Sequence, residues 1–371
     1  MAKLNTNIAF SNEQAMLLET AVAFCREKSP MRAVRSQIAT EHGFDRALWD
    51  EMVALGWSGI AIPERYGGSA LSLAEAATIA EPMGRHLLAT PFASTQIFTQ
   101  GLLAGGSAAQ SDAILPRIAQ GAIGTTALFE AEGDWALDAI TAECDRDFQL
   151  SGMKTLVCDA AVADLFLVSV RHHGLPALVL LDAAALPPHR LRRESVIDET
   201  RRSYLLDLAG IVATPEAMIT GARATAALRA IRDAALLLAA AEAAGGIAGV
   251  LDVTVDYLNT RTTFGRKIGS YQALKHTCAD ILVGLERTRS HLYHAASMLA
   301  GDADAEIALR MAKADAGDVF AFAGDRAIQF HGGFGFTYEC DAQLYLRRAL
   351  WLQYSFGDGT HHRRKLADLL F

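Results

Sequence analysis

The residues best suited to chemistry gather in one stretch, Arg261-Thr262-Thr263-Phe264-Gly265-Arg266-Lys267-Ile268-Gly269-Ser270-Tyr271-Gln272, which runs on to Lys275 and His276. Guanidinium and ammonium groups neutralise phosphate oxygens through charge-assisted hydrogen bonds. Glycines lack a Cβ, so Gly265 and Gly269 permit close backbone approach. Arg261, Arg266 and Lys267 are therefore candidate phosphate ligands. The same residues also fit a plain helix-turn-helix with a basic surface turn, and composition alone names no ligand.

A second cluster is Gln329-Phe330-His331-Gly332-Gly333-Phe334-Gly335-Phe336, where glycines interrupt an otherwise helical segment. Such an interruption lets backbone amides face an anion. Equally, Gly332 can take the left-handed conformation that ends a helix. His361 and His362 are adjacent, so on a helix they point about 100° apart, and no third ligand is near in sequence. No metal site is expected. Cys25, Cys144, Cys158, Cys278 and Cys340 are odd in number and scattered, which suits reduced thiols rather than disulfides or zinc ligands.

Three regions must position these residues. From Ser11 to about Gln120 the pattern is helical, opening on Ser11 and Gln14 as a capping box and punctuated by turn signals at Pro63, Gly67-Gly68, Gly84 and Pro91. From about Gly121 to Ile211 short apolar runs lie between turn residues: Phe148-Gln149-Leu150, Leu165-Phe166-Leu167-Val168, Ala177 to Leu181 and Tyr204-Leu205-Leu206. These suit strands. The helical pattern returns near Ala213, with Thr214 and Pro215 as a cap and first-turn pair. The expected domains are therefore 1–120, 121–212 and 213–371. A long helix from about Gly221 to Thr260 is apolar nearly all round, so it needs cover from neighbours or from another subunit, and oligomerisation is expected.

With 371 residues, 51% of them apolar, the chain can bury a large core. The stretch from Ala234 to Ala248 is interrupted by Glu242, so a buried helix is expected rather than a membrane span. A net charge of −8 argues against nonspecific binding to nucleic acid or an anionic membrane. The start Met-Ala-Lys-Leu-Asn lacks the pattern of a secretion signal, so a cytoplasmic location is expected.

Taken together, these segments resemble the acyl-CoA dehydrogenase family over nearly the whole chain. Near the N-terminus the resemblance rests on Gly43-Phe44-Asp45, Gly56-Trp57, Ile62-Pro63-Glu64-Arg65-Tyr66-Gly67-Gly68 and Glu81-Pro82-Met83-Gly84-Arg85. The stretch from Arg261 to Asp280 is similar to that family's Arg-x-x-Phe-Gly…Gln…His…Ala-Asp signature. The resemblance implies a mainly α fold with a central β domain: an N-terminal helical domain, a β-barrel or sheet domain and a C-terminal four-helix bundle. It further implies FAD, with Arg261 on the pyrophosphate, Phe264 near the adenosine part, Gln272 bonded to a neighbouring subunit's cofactor, and Gln329, Gly332 and Gly333 completing the cradle.

The resemblance also brings departures. Phe129-Glu130-Ala131 and Gly133-Asp134-Trp135 stand where the family usually has Thr-Glu-Pro and Gly-Ser-Asp, and Lys154-Thr155-Leu156-Val157-Cys158 replaces an aromatic-Ile-Thr segment. Asp358-Gly359-Thr360 occupies the place of the family's Glu-Gly-Thr, which makes Asp358 the candidate base. The alternative site for that base falls on Ala235, with Leu236 where an arginine is usual; nearby Asp233 and Glu242 are expected to make structural pairs.

The implied reaction is α,β-dehydrogenation of an acyl-CoA thioester, in fatty acid or steroid side-chain catabolism. A carboxylate removes the α-proton, hydride leaves the β-carbon for flavin N5, and electrons pass on to an electron-transfer flavoprotein. The C-terminal segments, including Phe356-Gly357-Asp358, resemble a divergent branch with paired unlike subunits. Homotetramer and heterotetramer both stay open, as does a noncatalytic FAD-cradling assembly subunit. A flavin oxidase or monooxygenase is a third reading.

Overall fold

The structure, a computed structural model, describes residues 12–131, 135–137, 139–299 and 304–371. Ser11, expected in a capping box, lies outside the described residues, as do Gly133 and Asp134. Helices come first: α1 (Asn12–Lys28), α2 (Met31–Ile38), α3 (Arg46–Ala54), α4 (Leu73–Arg85), α5 (Phe92–Gly105) and α6 (Ala108–Ala119). Short strands follow: β1 (Gly124–Ala127), β2 (Glu143–Cys144), β3 (Leu150–Ser151), β4 (Met153–Cys158), β5 (Leu165–His172), β6 (Leu175–Asp182), β7 (Leu191–Arg193), β8 (Ser203–Asp207) and β9 (Met218–Ile219). Then come α7 (Gly221–Thr260), β10 (Thr262–Thr263), β11 (Arg266–Lys267), α8 (Gln272–Met298), α9 (Ala305–His331), α10 (Asp341–Tyr354) and α11 (Gly359–Leu370). Helices, a mixed sheet region and helices thus succeed one another in the expected order.

The chain forms two compact units. One comprises Gln37–Ala76 and Ala89–Ala235 and holds strands β1 to β9. Its larger sheet runs β3-β2-β5-β6-β9, and β1 also pairs with β5; β1 and β2 are parallel to β5, while β6 is antiparallel to it. Leu165 to Val170 are buried without interruption, which is why Leu165 to Val168 read as a continuous apolar run rather than an alternating one. The smaller sheet is antiparallel, β4-β8-β7, with a register shift between Lys154 and Val157. Gly101 and Gly105 lie one turn apart on α5, where a Cβ would stand 2.7 Å from the Ile231 side chain and 2.5 Å from the Arg223 carbonyl. Small residues on one helical face let two backbones approach.

The other unit comprises residues 12–36, Ala77–Leu88 and Leu236–Phe371, with α9 packed against α8, α10 and α11. Gly84 was expected to mark a turn, yet it lies inside α4. A Cβ there would collide with the Glu242 carbonyl on α7, and one on Gly245 with the Glu81 carbonyl, so these glycines serve helix contact.

Thr214 and Pro215 open a single 3-10 turn, Pro215–Ala217, and α7 begins only after β9. By length and composition α7 could cross a membrane, but its most apolar window is 94% buried inside the fold. Its apolar circumference is therefore covered within one chain. The expectation of oligomerisation loses this particular support, because an apolar helix asks for burial and not for a second subunit.

Candidate functional site

The basic stretch after α7 folds as a hairpin. Thr262 pairs with Lys267 and Thr263 with Arg266, leaving Phe264-Gly265 as a two-residue turn with φ of 54° and 75°. Two positive φ values match the right-handed twist of the flanking strands. Glycine adopts them freely, whereas Phe264 does so at a cost of roughly 1–2 kcal/mol. Phe264 is nevertheless 90% exposed, so neither backbone preference nor burial accounts for it.

A cavity of about 400 Å³ opens between this hairpin and the helices that flank it in sequence and space. Tyr257 and Arg261 line it from the end of α7, Phe264 from the hairpin, Tyr271 from the start of α8, and His331, Gly332 and Gly333 from the end of α9. The structure separates the three candidate cations. Lys267 Nζ donates to the Thr260 carbonyl at 2.7 Å and caps α7, and Arg266 lies over the Tyr271 ring, 4.1 Å from its centre. Arg261 reaches the cavity wall, is exposed, and has no ion-pair partner among the described residues.

Gly332 ends α9 with φ of 61°, its N–H donating to the Gln329 carbonyl. The glycine cluster is thus a helix end that also lines the cavity, with Gly332 at a positive φ but with ψ of −141°, outside the left-handed helical region expected of it. A Cβ on Gly332 or Gly333 would meet nothing within 4 Å, so the space over both backbones is open. The buried His331 ring stacks on Tyr257 with centroids 4.2 Å apart, and its Nδ1 donates to the Ala327 carbonyl at 2.8 Å. An unpaired guanidinium, a glycine backbone open to close approach and aromatic walls fit a phosphate-bearing ligand with a planar ring. Gln272 and Gln329 are exposed beside this cavity without lining it.

Asp358 lies elsewhere in the same unit, as the N-cap of α11, and its Oδ1 accepts the His361 N–H at 2.7 Å. Phe356 and Gly357 before it have φ of 57° and 107°. Lys313, fully buried on α9, donates to the Gln353 carbonyl at 3.1 Å and the Gly357 carbonyl at 2.8 Å. Burial pushes the Lys313 ammonium down to about 7 against the opposing pull of Asp358 and Asp318. His362, also buried, is pushed down to about 3 by burial and by the positive charges of Lys313 and Arg310.

At the segments that depart from the usual flavin loops, Lys154 is buried and its Nζ lies 2.6 Å from Glu130 Oε1. Burial raises the Glu130 carboxyl, but hydrogen bonds from Lys154, Thr141 and Ala142 outweigh it and hold the group at about 2. Leu156 has φ of 55° where β4 shifts register, and Glu194 accepts from both its N–H and the Thr155 hydroxyl. Asp233 pairs with Arg232, and buried Glu242 with Arg348. Both carboxylates make the structural pairs expected of them.

Residues 11–122 match the family model "acyl-CoA dehydrogenase, N-terminal domain", and residues 223–371 match "acyl-CoA dehydrogenase, C-terminal domain". The chain belongs to the acyl-CoA dehydrogenase family. Proteins of this family are FAD-dependent flavoprotein oxidoreductases. Acyl-CoA dehydrogenase IpdE2 of Mycobacterium tuberculosis is 30% identical over 91% of this chain and 91% of its own. A solved steroid acyl-CoA dehydrogenase, Tcur3481-Tcur3483, is 27% identical with a TM-score of 0.86, covering 96% of this chain and 97% of its own. The ChsE4-ChsE5 complex of Mycobacterium tuberculosis, 22% identical over 98% and 99% of the two chains, has the same fold with a TM-score of 0.88.

Tyr257, Tyr271 and Lys313 were not singled out from sequence. An aromatic or a lysine on a long helix reads as core or as surface until the neighbouring elements are in place. Lys313 carried little signal, since Arg310 and Asp315 close by make it read as one charge among several on a helix.

Proposed function

We propose that this chain desaturates an acyl-CoA thioester between its α and β carbons, with FAD held in the cavity at the end of α7 and Asp358 as base. The observation that carries the reading is Arg261, a guanidinium with no ion-pair partner among the described residues, lining the same cavity as the open backbones of Gly332 and Gly333. Arg261 with the backbones of Gly332 and Gly333 would hold the pyrophosphate, Phe264 and Tyr257 would flank the adenosine part, and Gln272 and Gln329 would bond the cofactor at the rim, Gln272 from a neighbouring subunit. When bound, FAD supplies the hydride acceptor.

Asp358 spends one carboxylate oxygen on capping α11, and its Oδ2 has no partner among the described residues. That oxygen can accept the α-proton. An α-proton of a thioester is too weakly acidic for a free carboxylate, so the developing enolate needs hydrogen bonds at the thioester oxygen. The first N–H groups of α11, at Gly359 and Thr360, lack intrahelical partners and are suited to give them.

The solved steroid acyl-CoA dehydrogenase supports a bulky, steroid-derived acyl group. In this reading the chain is part of a tetramer, either of one chain or, in keeping with the two-protein ChsE4-ChsE5 complex, with a related subunit, passing electrons to an electron-transfer flavoprotein in the cytoplasm. Asp358→Asn should retain FAD and lose flavin bleaching by substrate. A second reading is favoured by the capping role and shorter reach of Asp358: a noncatalytic FAD-cradling subunit whose partner supplies the base. Unchanged bleaching in Asp358→Asn would remove Asp358 from the mechanism, and a wild-type chain that binds FAD but bleaches only when a related subunit is added would leave the second reading standing. Oxygen consumption during turnover would instead mark an oxidase or monooxygenase.

A further inference from the structure

Asp358 stands at the end of a tight backbone reversal whose own bonds include the Ser355 hydroxyl on the Trp351 carbonyl at 2.7 Å and the Gly357 N–H on the Tyr354 carbonyl at 3.3 Å. α10 ends at Tyr354, and α11 begins at Gly359. Between them Phe356 and Gly357 both take positive φ, an arrangement the phenylalanine adopts only under strain. Gly357 is also crowded, since a Cβ there would lie 2.7 Å from His361 Cδ2 and 3.0 Å from His362 Nε2. A strained reversal with few local bonds is further held by an anchor from outside it.

Lys313 provides that anchor. It projects from α9, is 2% exposed, and its ammonium bridges the two sides of the reversal, the Gln353 carbonyl in the last turn of α10 and the Gly357 carbonyl one residue before Asp358. Carbonyls at a helix C-terminus lack intrahelical donors and attract a cation. No carboxylate lies within ion-pair distance of Lys313 among the described residues, and Asp358 and Asp318 act on it only through space. A buried cation without a carboxylate partner is expensive, and burial drives this one down to about 7. A merely space-filling role would be met by methionine or leucine at lower cost.

We infer that Lys313 is a positioning residue for Asp358: it clamps the carbonyls of Gln353 and Gly357 and thereby fixes where the Asp358 carboxylate points. This rests on the reading of Asp358 as the base. Lys313 does not touch substrate or cofactor in this account. Its effect passes through the backbone of residues 353–358.

The test compares Lys313→Met, which keeps length and removes the donors, with Lys313→Gln, which keeps donors without charge. Amide hydrogen exchange is followed at Gly357, His361 and His362, whose N–H groups bond to Tyr354, Asp358 Oδ1 and the Asp358 carbonyl. Flavin content and the rate of flavin reduction by acyl-CoA are read on the same samples. Lys313→Met should speed exchange at these amides at least about tenfold while α8 and the middle of α9 stay protected. It should also slow reduction by about a hundredfold, the cost of a misplacement near 1 Å, with KM changed less than about threefold and FAD retained. Lys313→Gln should recover part of both.

Unchanged exchange in Lys313→Met overturns the proposal whatever the activity. Loss of protection throughout α8 and α9 also overturns it, because the lysine then supports the whole bundle rather than the turn. Asp358→Asn separates the two claims: wild-type reduction in that variant ends the reading of Asp358 as base, while the exchange comparison still decides whether Lys313 holds the turn.

Discussion

Arg261 and Lys313 are both cations without a carboxylate partner among the described residues, but they are placed in opposite ways. Arg261 is exposed at the wall of an open cavity, beside glycines whose backbones face free space. Lys313 is buried against two carbonyls, next to a glycine that has no room for a methyl group. The first arrangement leaves a charge for a ligand to satisfy. The second uses a charge to hold backbone, so its consequences are structural before they are chemical. In the cavity, side chains should be exchangeable at little cost to folding and large cost to binding. At the Asp358 turn, substitutions should cost stability as well as rate.

Gly357→Ala gives the largest expected effect on stability. The methyl group meets His361 and His362 while the backbone keeps a φ of 107°, so the chain should lose about 3 kcal/mol in denaturant unfolding. A loss near zero would mean that the turn relaxes freely and that the contrast with the cavity is false. Arg261→Met comes next. FAD affinity should fall about tenfold to a hundredfold, the loss of a hydrogen bond to a charged group, while unfolding of the FAD-free chain shifts by less than about 0.5 kcal/mol. A large stability loss would place Arg261 among the structural cations instead.

The pH dependence of stability sharpens the same contrast. His362 has a folded value near 3, below its ordinary 6.5, so the folded state resists the proton that the unfolded chain accepts. Its contribution is complete above about pH 6.5 and is lost as pH falls from there toward 3. His86, lowered chiefly by burial, acts in the same direction. Glu130, held at about 2, adds its loss only below 4.5. Urea midpoints should therefore fall between pH 6.5 and 4.5, and His362→Asn should flatten that fall; an unaltered slope would contradict a buried neutral His362. The smallest effect is expected from Phe264→Ala, where losing one aromatic contact worth about 1 kcal/mol should weaken FAD roughly fivefold and leave folding intact.

Sequence made some of this legible and hid the rest for physical reasons. α7 was readable across its whole length because alanine and leucine surround it and no polar face breaks the pattern. Arg261, Phe264, Gly332 and Gly333 were readable because glycine spacing and a family resemblance converged on them, and the structure brings all four to one cavity. The 262–267 hairpin was hidden, since two threonines and two cations around Phe-Gly carry no alternation of apolar and polar residues. Gly84 was mistaken for a turn because a glycine that admits a neighbouring helix looks the same in sequence as one that bends the chain. Lys313 escaped because its partners are backbone carbonyls, and a carbonyl leaves no trace in residue identity.

The most direct measurement is the visible absorption spectrum of the chain purified alone, recorded before and after anaerobic addition of a panel of acyl-CoAs that includes steroid side-chain thioesters. A yellow protein that bleaches with one of them is the predicted result, showing that this chain holds FAD and that the acyl-CoA reduces it there. A colourless protein would contradict a cofactor site carried by this chain and point to an unlike partner subunit.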